Sequence, residues 1–286
     1  RNLLVKFDGV DEMFDRSPRD LLLQYPLAYL QHICHSLVQG KQNAVMGWKE
    51  RLDELQQHYE ETDNVEEGYR NRILGEILII RKITRFNRLP EMMALDKEII
   101  RLLGGQNSWL VLRGYLIMLG LPQYLFLYFR DSGSFRELSH TLAEYNEIAK
   151  YADGLATGCD SLALAEYALE TGEFDKVEQN SLQSIAKAET MSQINVIFGA
   201  KFCLIRLHIM QGRPDKAFEI LEQLQGYFER LNYPFVNTSF DLCKAYVFAS
   251  LCQPERIPSW LQVGDMASAS FYYQGLAYNY LVYGKT

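Results

Sequence analysis

AEYALETGEFDKVEQNSLQSIAKAE runs from Ala165 to Glu189. Apolar residues recur in it at helical spacing, break at Thr171-Gly172-Glu173, and resume. Gly172 stands where one helix should end, because glycine enters the left-handed backbone region without a steric penalty. Phe174 and Val177 follow at plus two and plus five. An isolated hairpin and one copy of a repeated unit imply different classes of fold, so the rest of the chain decides between them.

The same punctuation recurs. Gly212 follows Gly172 by one further unit, with Pro214 and Ala217 at plus two and plus five. Gly133 precedes Gly172 by one unit, with Phe135 and Leu138 in those places. Gly40 has Val45 at plus five, Asn87 has Leu89 and Met92, and Gln253 marks a sixth copy without a glycine. The turns Gly40, Asn87, Gly133, Gly172, Gly212 and Gln253 thus recur with a period of roughly 40 to 47 residues. Each unit reads as a helix of about fifteen residues, a left-handed turn residue (Gly40, Asn87, Gly133, Gly172 or Gly212) and a second helix packed back through its plus-five residue. A hairpin of this kind leaves an apolar face that only the next hairpin covers, so the units are expected to stack. Unrelated hairpins in a globular helical domain are the alternative.

Bulk properties narrow the function. The chain has 286 residues, 48% hydrophobic and 23% charged, as expected of a folded chain in water. A net charge of −7 makes direct binding to the DNA backbone a poor expectation, because that contact needs clustered Lys and Arg. The most apolar stretch, Trp109 to Phe129, is interrupted by Arg113, Pro122 and Gln123, so no membrane span is expected. Five scattered cysteines, Cys34, Cys159, Cys203, Cys243 and Cys252, contain no C-x-x-C and read as reduced thiols in a cytoplasm. The opening at Arg1 and the last segment, a first helix with Gly284 at its turn, read as a piece of a longer protein.

No phosphate-binding loop, nucleophile elbow or zinc-protease motif occurs, so no catalytic residue is assigned and no enzyme activity is expected of this segment. Leu103–Ser108 reads as an interhelical turn with Ser108 as an N-cap. His32 and His35 flank Cys34, but no further ligand is identifiable and no metal is expected. Asp160, Glu166 and Glu170 share one helix and read as solvated charges.

The unit resembles the tetratricopeptide repeat in its Ala165, Gly172, Phe174 and Val177, and again in Gly212 and Ala217. Its length exceeds that family's usual repeat. Longer, degenerate repeats of this kind resemble the sensor region of MalT-like, LuxR-type bacterial regulators of the large ATP-binding class. SPRDLLLQYPLAYLQHI (Ser17–Ile33), YRNRILGEILIIRKITRFNRLPEMM (Tyr69–Met93), LGLPQYLFLYFRDSGSFREL, YADGLATGCDSLALAEYALETGEF and IPSWLQVGD (Ile257–Asp265) carry that likeness.

The resemblance implies an all-α, right-handed superhelical solenoid of about six degenerate hairpins over residues 20–286, truncated in its last repeat. Residues 1–19 would be the linker from an upstream ATP-binding module, with a helix-turn-helix downstream. The segment would sense a ligand and contact other modules of the same regulator, with no cofactor of its own. The groove phase of tetratricopeptide proteins, carried over residue by residue, selects Arg81, Arg85, Gln123, Arg130, Glu166, Phe202 and Arg206. Arginines there would fork onto a small anionic effector or an extended peptide, and Phe202 would stack on a flat group. Pairing of these arginines with neighbouring acids on solvated faces is the plainer alternative. A free-standing peptide- or protein-binding scaffold and an all-α enzyme remain the other functional readings. The effector, the regulated genes and the oligomeric state, a homo-oligomer included, stay open.

Overall fold

The structure, a computed structural model, describes residues 10–38, 47–62, 65–111, 117–118, 120–231, 234–263 and 284. These residues are all-helical, with no strand among them. The chain divides into two compact units, Arg1–Leu112 with Lys150–Asp153, and Arg113–Ala149 with Gly154–Thr286.

The first unit holds α1 (Val10–Arg16), α2 (Arg19–Gln24), α3 (Pro26–Val38), α4 (Trp48–Glu61), α5 (Glu67–Ile83) and α6 (Leu89–Leu103). Helix α5 is its centre and packs against α3, α4 and α6. Its Ile73, Ile77 and Ile80 are fully buried, joined by Leu52 and Leu55 of α4 and Ile99 of α6. Burying apolar surface on both sides of one helix is the main stabilising term here.

That centre also takes in charge. Lys82 Nζ donates to Asp96 Oδ1 at 2.7 Å and to the Tyr151 hydroxyl oxygen at 2.8 Å. Tyr151 donates its own proton to Asp96 Oδ1 at 2.6 Å, and all three side chains are buried. Glu76 accepts from Ser108 Oγ at 2.6 Å and from the Trp109 N–H at 2.7 Å. Burial pushes the Glu76 carboxyl up, against the opposing pull of Ser108, Trp109 and Arg72. Arg72 crosses from the same helix to the Asn107 carbonyl at 2.6 Å and to Gln106 Oε1 at 2.7 Å. Ser108 Oγ accepts from the Leu110 and Val111 N–H groups, the bonds an N-cap residue makes, and residues 109–111 form bends.

The second unit holds α7 (Leu125–Tyr128), α8 (Phe135–Glu144), α9 (Cys159–Thr171), α10 (Phe174–Thr190), α11 (Ile194–Met210), α12 (Pro214–Leu231), α13 (Pro234–Ser250) and α14 (Ser259–Gln262). From α8 to α13 each helix packs on the next, and α11 also lies against α9 and α13. Helix α11 is apolar over most of its surface and buries most of its residues against its neighbours. Among its described side chains, helix α12 buries the stripe Ala217, Leu221, Leu224 and Phe228. One period earlier, α10 buries Val177, Ser181, Ser184 and Ala188 at the same positions. Small residues along that stripe let α10 approach α9 and α11 closely.

The turns share this register. Gly172 has φ 77°, Gly212 φ 68° and Cys252 φ 55°. At each, the following N–H reaches back to a carbonyl on the preceding turn: Glu173 to Ala168 at 2.8 Å, Arg213 to His208 at 2.8 Å, Gln253 to Phe248 at 2.9 Å. This 6→1 bond closes a helix end around one left-handed residue. The sixth turn therefore pivots on Cys252, not on Gln253, and the step from Gly212 to Cys252 equals the step from Gly172 to Gly212. Asn87 (φ 61°) and Gly133 (φ 87°) also take the left-handed conformation, whereas Gly40 lies outside the described residues.

One expected helix is nearly missing. The run before Gly133 should supply about four turns, yet α7 is a single turn, Leu125–Tyr128. Gly120 and Pro122 disfavour a helix there, and the backbone groups upstream of Leu125 find partners elsewhere.

A Cβ at Gly172 or Gly212 meets nothing within 4 Å, so only the backbone resists substitution. Alanine at either position is expected to lower the unfolding free energy by about 1 kcal/mol, measured by urea denaturation; an unchanged midpoint would remove the left-handed turn as a determinant of stability. Asp96→Asn, which takes the carboxylate away from the buried Lys82 ammonium, is expected to cost about 3 kcal/mol in the same assay, and Tyr151→Phe about 1 kcal/mol.

Candidate functional site

Helices α9 and α11 lie side by side, and among their buried polar side chains are Glu166 of α9 and Asn195 of α11. Glu166 of α9 is 1% exposed. Its Oε1 accepts the Tyr124 N–H at 2.7 Å and its Oε2 the Leu125 N–H at 2.6 Å. These donors open α7, where no helical carbonyl is available to them. Asn195, at the start of α11, is 3% exposed. Its Oδ1 accepts from the N–H groups of Met118 at 3.0 Å and Gly120 at 3.2 Å, and its Nδ2 donates to the Leu121 carbonyl at 2.7 Å. A primary amide can do both because it carries an acceptor and two donors in one plane.

The held segment is a turn. The Leu121 N–H reaches back to the Met118 carbonyl at 2.9 Å, and Gly120 supplies the positive φ of 81° that this turn uses. Gly199 of α11 makes room for it. A Cβ at Gly199 would stand 2.9 Å from Leu162 Cδ2, 3.2 Å from Met118 Cε and 3.3 Å from the Pro122 carbonyl oxygen. The main chain of Met118 and Gly120–Leu125 thus lies directly across α9 and α11, in a place that only glycine leaves open. Met118, Leu121 and Tyr124 are buried at 0%, 2% and 2% exposure.

Burial pushes the Glu166 carboxyl up to about 8; the two N–H donors and Arg206 pull the other way, and Glu170 adds to the rise. Arg206, with 12% of its side chain exposed, donates from Nη2 to Glu170 Oε1 at 2.8 Å and stands 5.6 Å from the centre of the Tyr246 ring. Glu166, Arg206 and Tyr246 occupy equivalent positions, one period apart, on α9, α11 and α13. Burial also holds the thiols of Cys159, Cys203 and Cys243 well above the usual range.

The seven groove residues expected from sequence separate. Gln123, Glu166 and Phe202 are interior at 2%, 1% and 0% exposure, rather than on an open face. Phe202 meets the Tyr246 ring edge-on at 5.7 Å, which occupies the surface expected for a flat ligand. Arg130 is exposed. Arg81 and Arg85 belong to the first unit: Arg81 pairs with Asp53 at 2.6 Å and bonds Gln56, and Arg85 pairs with Glu91 at 3.4 Å. The transferred phase assumes a full first helix before Gly133, whereas Gly120–Tyr124 is non-helical and is held on Glu166 and Asn195; Phe202 is covered by packing against α13.

Sequence reasoning missed Asn195 and Gly199. The signal was available: INVIFGAKFCLIRLHIM is an apolar helix with one amide and one glycine, and an isolated glycine inside such a helix has a packing reason. It also read Glu166 as a solvated charge, whereas it is buried; Glu170 is exposed, as expected, and pairs with Arg206, and Asp160 pairs with Lys187.

No protein-family model, no curated protein and no solved structure shows a significant match to this chain.

Two further features belong to the first unit. A cavity of about 210 Å³ is lined by Phe14, Arg19, Tyr29, Arg51, Glu54 and Leu55, with Arg19 ion-paired to Glu54. His32 stacks on Phe14 at 4.3 Å and Cys34 is buried with its thiol pushed up to about 12; the His35 side chain lies outside the described residues. Among the described residues no three His, Cys, Asp or Glu side chains gather as a metal site, and no helix is long and apolar enough to cross a membrane.

Glu166→Ala strands two buried N–H donors and is expected to cost about 2–3 kcal/mol. Glu166→Gln removes the charge and keeps one acceptor: its Oε1 still takes one of the two N–H groups, whereas its Nε2 amide is itself a donor and strands the other. The folded carboxyl holds its proton more tightly than the ordinary value of 4.5, so its stabilising contribution is complete below about 4.5 and lost as pH rises through about 8. Between pH 5 and pH 9 the wild type should therefore lose about 4 kcal/mol relative to the glutamine variant; parallel urea-unfolding curves across that range would contradict a raised value.

Proposed function

We propose that this chain is a helical-repeat sensing and interaction module, and that its place is in a MalT-like, LuxR-type transcriptional regulator. The observation that carries the reading is the common register, a period of about 40 residues, shared by turns, buried stripes and stacked side chains from α9 to α13. A unit that repeats in this way buries its apolar face against its neighbours and extends as a right-handed solenoid of degenerate, tetratricopeptide-like hairpins. Solenoids present long surfaces and act by binding. The module would receive an effector and pass the event to an ATP-binding module before it and a helix-turn-helix after it, in a bacterial cytoplasm. The coupling requires an effector that binds two states of the module unequally.

The exposed Arg130 and Arg85 keep a small anion in view as effector. The interior placement of Gln123, Glu166 and Phe202 argues against an open anion groove in the second unit. The deciding experiment is to read the open reading frame on both sides of the segment. A P-loop module upstream and a helix-turn-helix downstream are the expected result. A frame with neither overturns the regulator reading and leaves a stand-alone binding scaffold.

A further inference from the structure

The face of α9 and α11 holds a length of main chain, and it holds it by contacts that ignore side-chain identity. Asn195 takes two N–H groups and one carbonyl, and Glu166 takes two more N–H groups. Gly199 lets the held backbone come within contact distance of α11. Side-chain selection is left to Met118, Leu121 and Tyr124, buried anchors at every third position, with Gly120 shaping the turn between the first two and Pro122 following the second. We propose that this face is a binding site for a non-helical peptide, filled in this structure by the chain's own segment, and that a peptide in trans with an apolar, an apolar and an aromatic anchor at that spacing exchanges with it.

Two observations point beyond ordinary core packing. The held residues before Leu125 lie in no helix, so releasing them disrupts only the single turn of α7. Their polar groups are satisfied by Asn195 and Glu166, which would bond the backbone of another chain equally well. The second observation is a misfit. Gln123 is 2% exposed, and its Oε1 has no hydrogen-bond partner among the described residues. A stranded buried acceptor disfavours the internal occupant, so a peptide with an apolar residue there should outcompete it. The inference rests on the reading of the chain as a binding module and names the partner class for one of its faces.

The test uses the full chain and a labelled peptide with the sequence of residues 117–128, carrying two added lysines for solubility. Fluorescence anisotropy should show saturable binding that a scrambled peptide does not compete. A peptide with the equivalent of Gln123→Met should bind about tenfold tighter. Leu121→Ala in the chain weakens only the internal occupant and should tighten peptide binding by about tenfold. Hydrogen exchange on the wild type keeps the test independent of that variant's folding. The amides of Met118, Gly120, Tyr124 and Leu125 should exchange about 100-fold faster than amides inside α9 and α11, or faster still. Exchange of the four at the rate of α9 and α11, or no binding up to about 1 mM peptide, overturns the proposal. A chain that refuses the peptide yet melts at higher temperature with a small phosphate or carboxylate loses this inference and keeps the sensor reading.

Discussion

A backbone N–H or C=O taken out of water needs a partner, and in two apolar non-helical stretches of this chain part of that requirement falls on a few buried side chains. Glu166 and Asn195 meet it for the segment before α8, and Glu76 and Arg72 meet it for the turn after α6. The irregular segments can therefore be apolar and interior without being helical. Where a helix would have satisfied its own backbone, α9 and α11 satisfy the segment's backbone instead. The consequence is that the described part of the most apolar run, Trp109 to Phe129, contributes one short helix and a non-helical strap.

From α9 onward the packing is more regular. The stripes on α10 and α12 coincide at a shift of one period, and so do the left-handed turns. A constant shift brings like positions of successive hairpins together, which is why Arg206 reaches Glu170 on one side and Tyr246 on the other. Charge and ring stack along the same line on which a tetratricopeptide groove would open. In this chain that line is internal at Glu166 and Phe202, because the strap and the neighbouring helices close over it. The arginine is held against a carboxylate and a ring within the unit.

This arrangement shapes what binding can mean here. A groove lined by free charges selects small anions; a face lined by an amide and a carboxylate that already grip main chain selects another main chain. Both partner classes suit the proposed sensing module, but they would use different surfaces. The contrast between the open Arg130 and the buried Glu166 is the structural form of that choice.

Local chemistry was enough, in the sequence, for much of this. Glycine or asparagine at Gly172, Gly212, Gly133 and Asn87 marks left-handed turns because few other residues tolerate that backbone, and stripes at helical spacing mark the buried faces. The sixth turn was legible only to within one residue, at Gln253 rather than Cys252, because no glycine announces it. Which side of α9 and α11 would be open was not written in any local pattern. It depends on where a distant, apolar, helix-breaking segment comes to rest. That is decided only when Glu166 of one helix and Asn195 and Gly199 of another are brought together and offered the same stretch of backbone. Turns and faces are set by residues within a few positions of one another, so the sequence determines them; the fate of the groove is set by long-range satisfaction of buried backbone, so only the tertiary structure decides it.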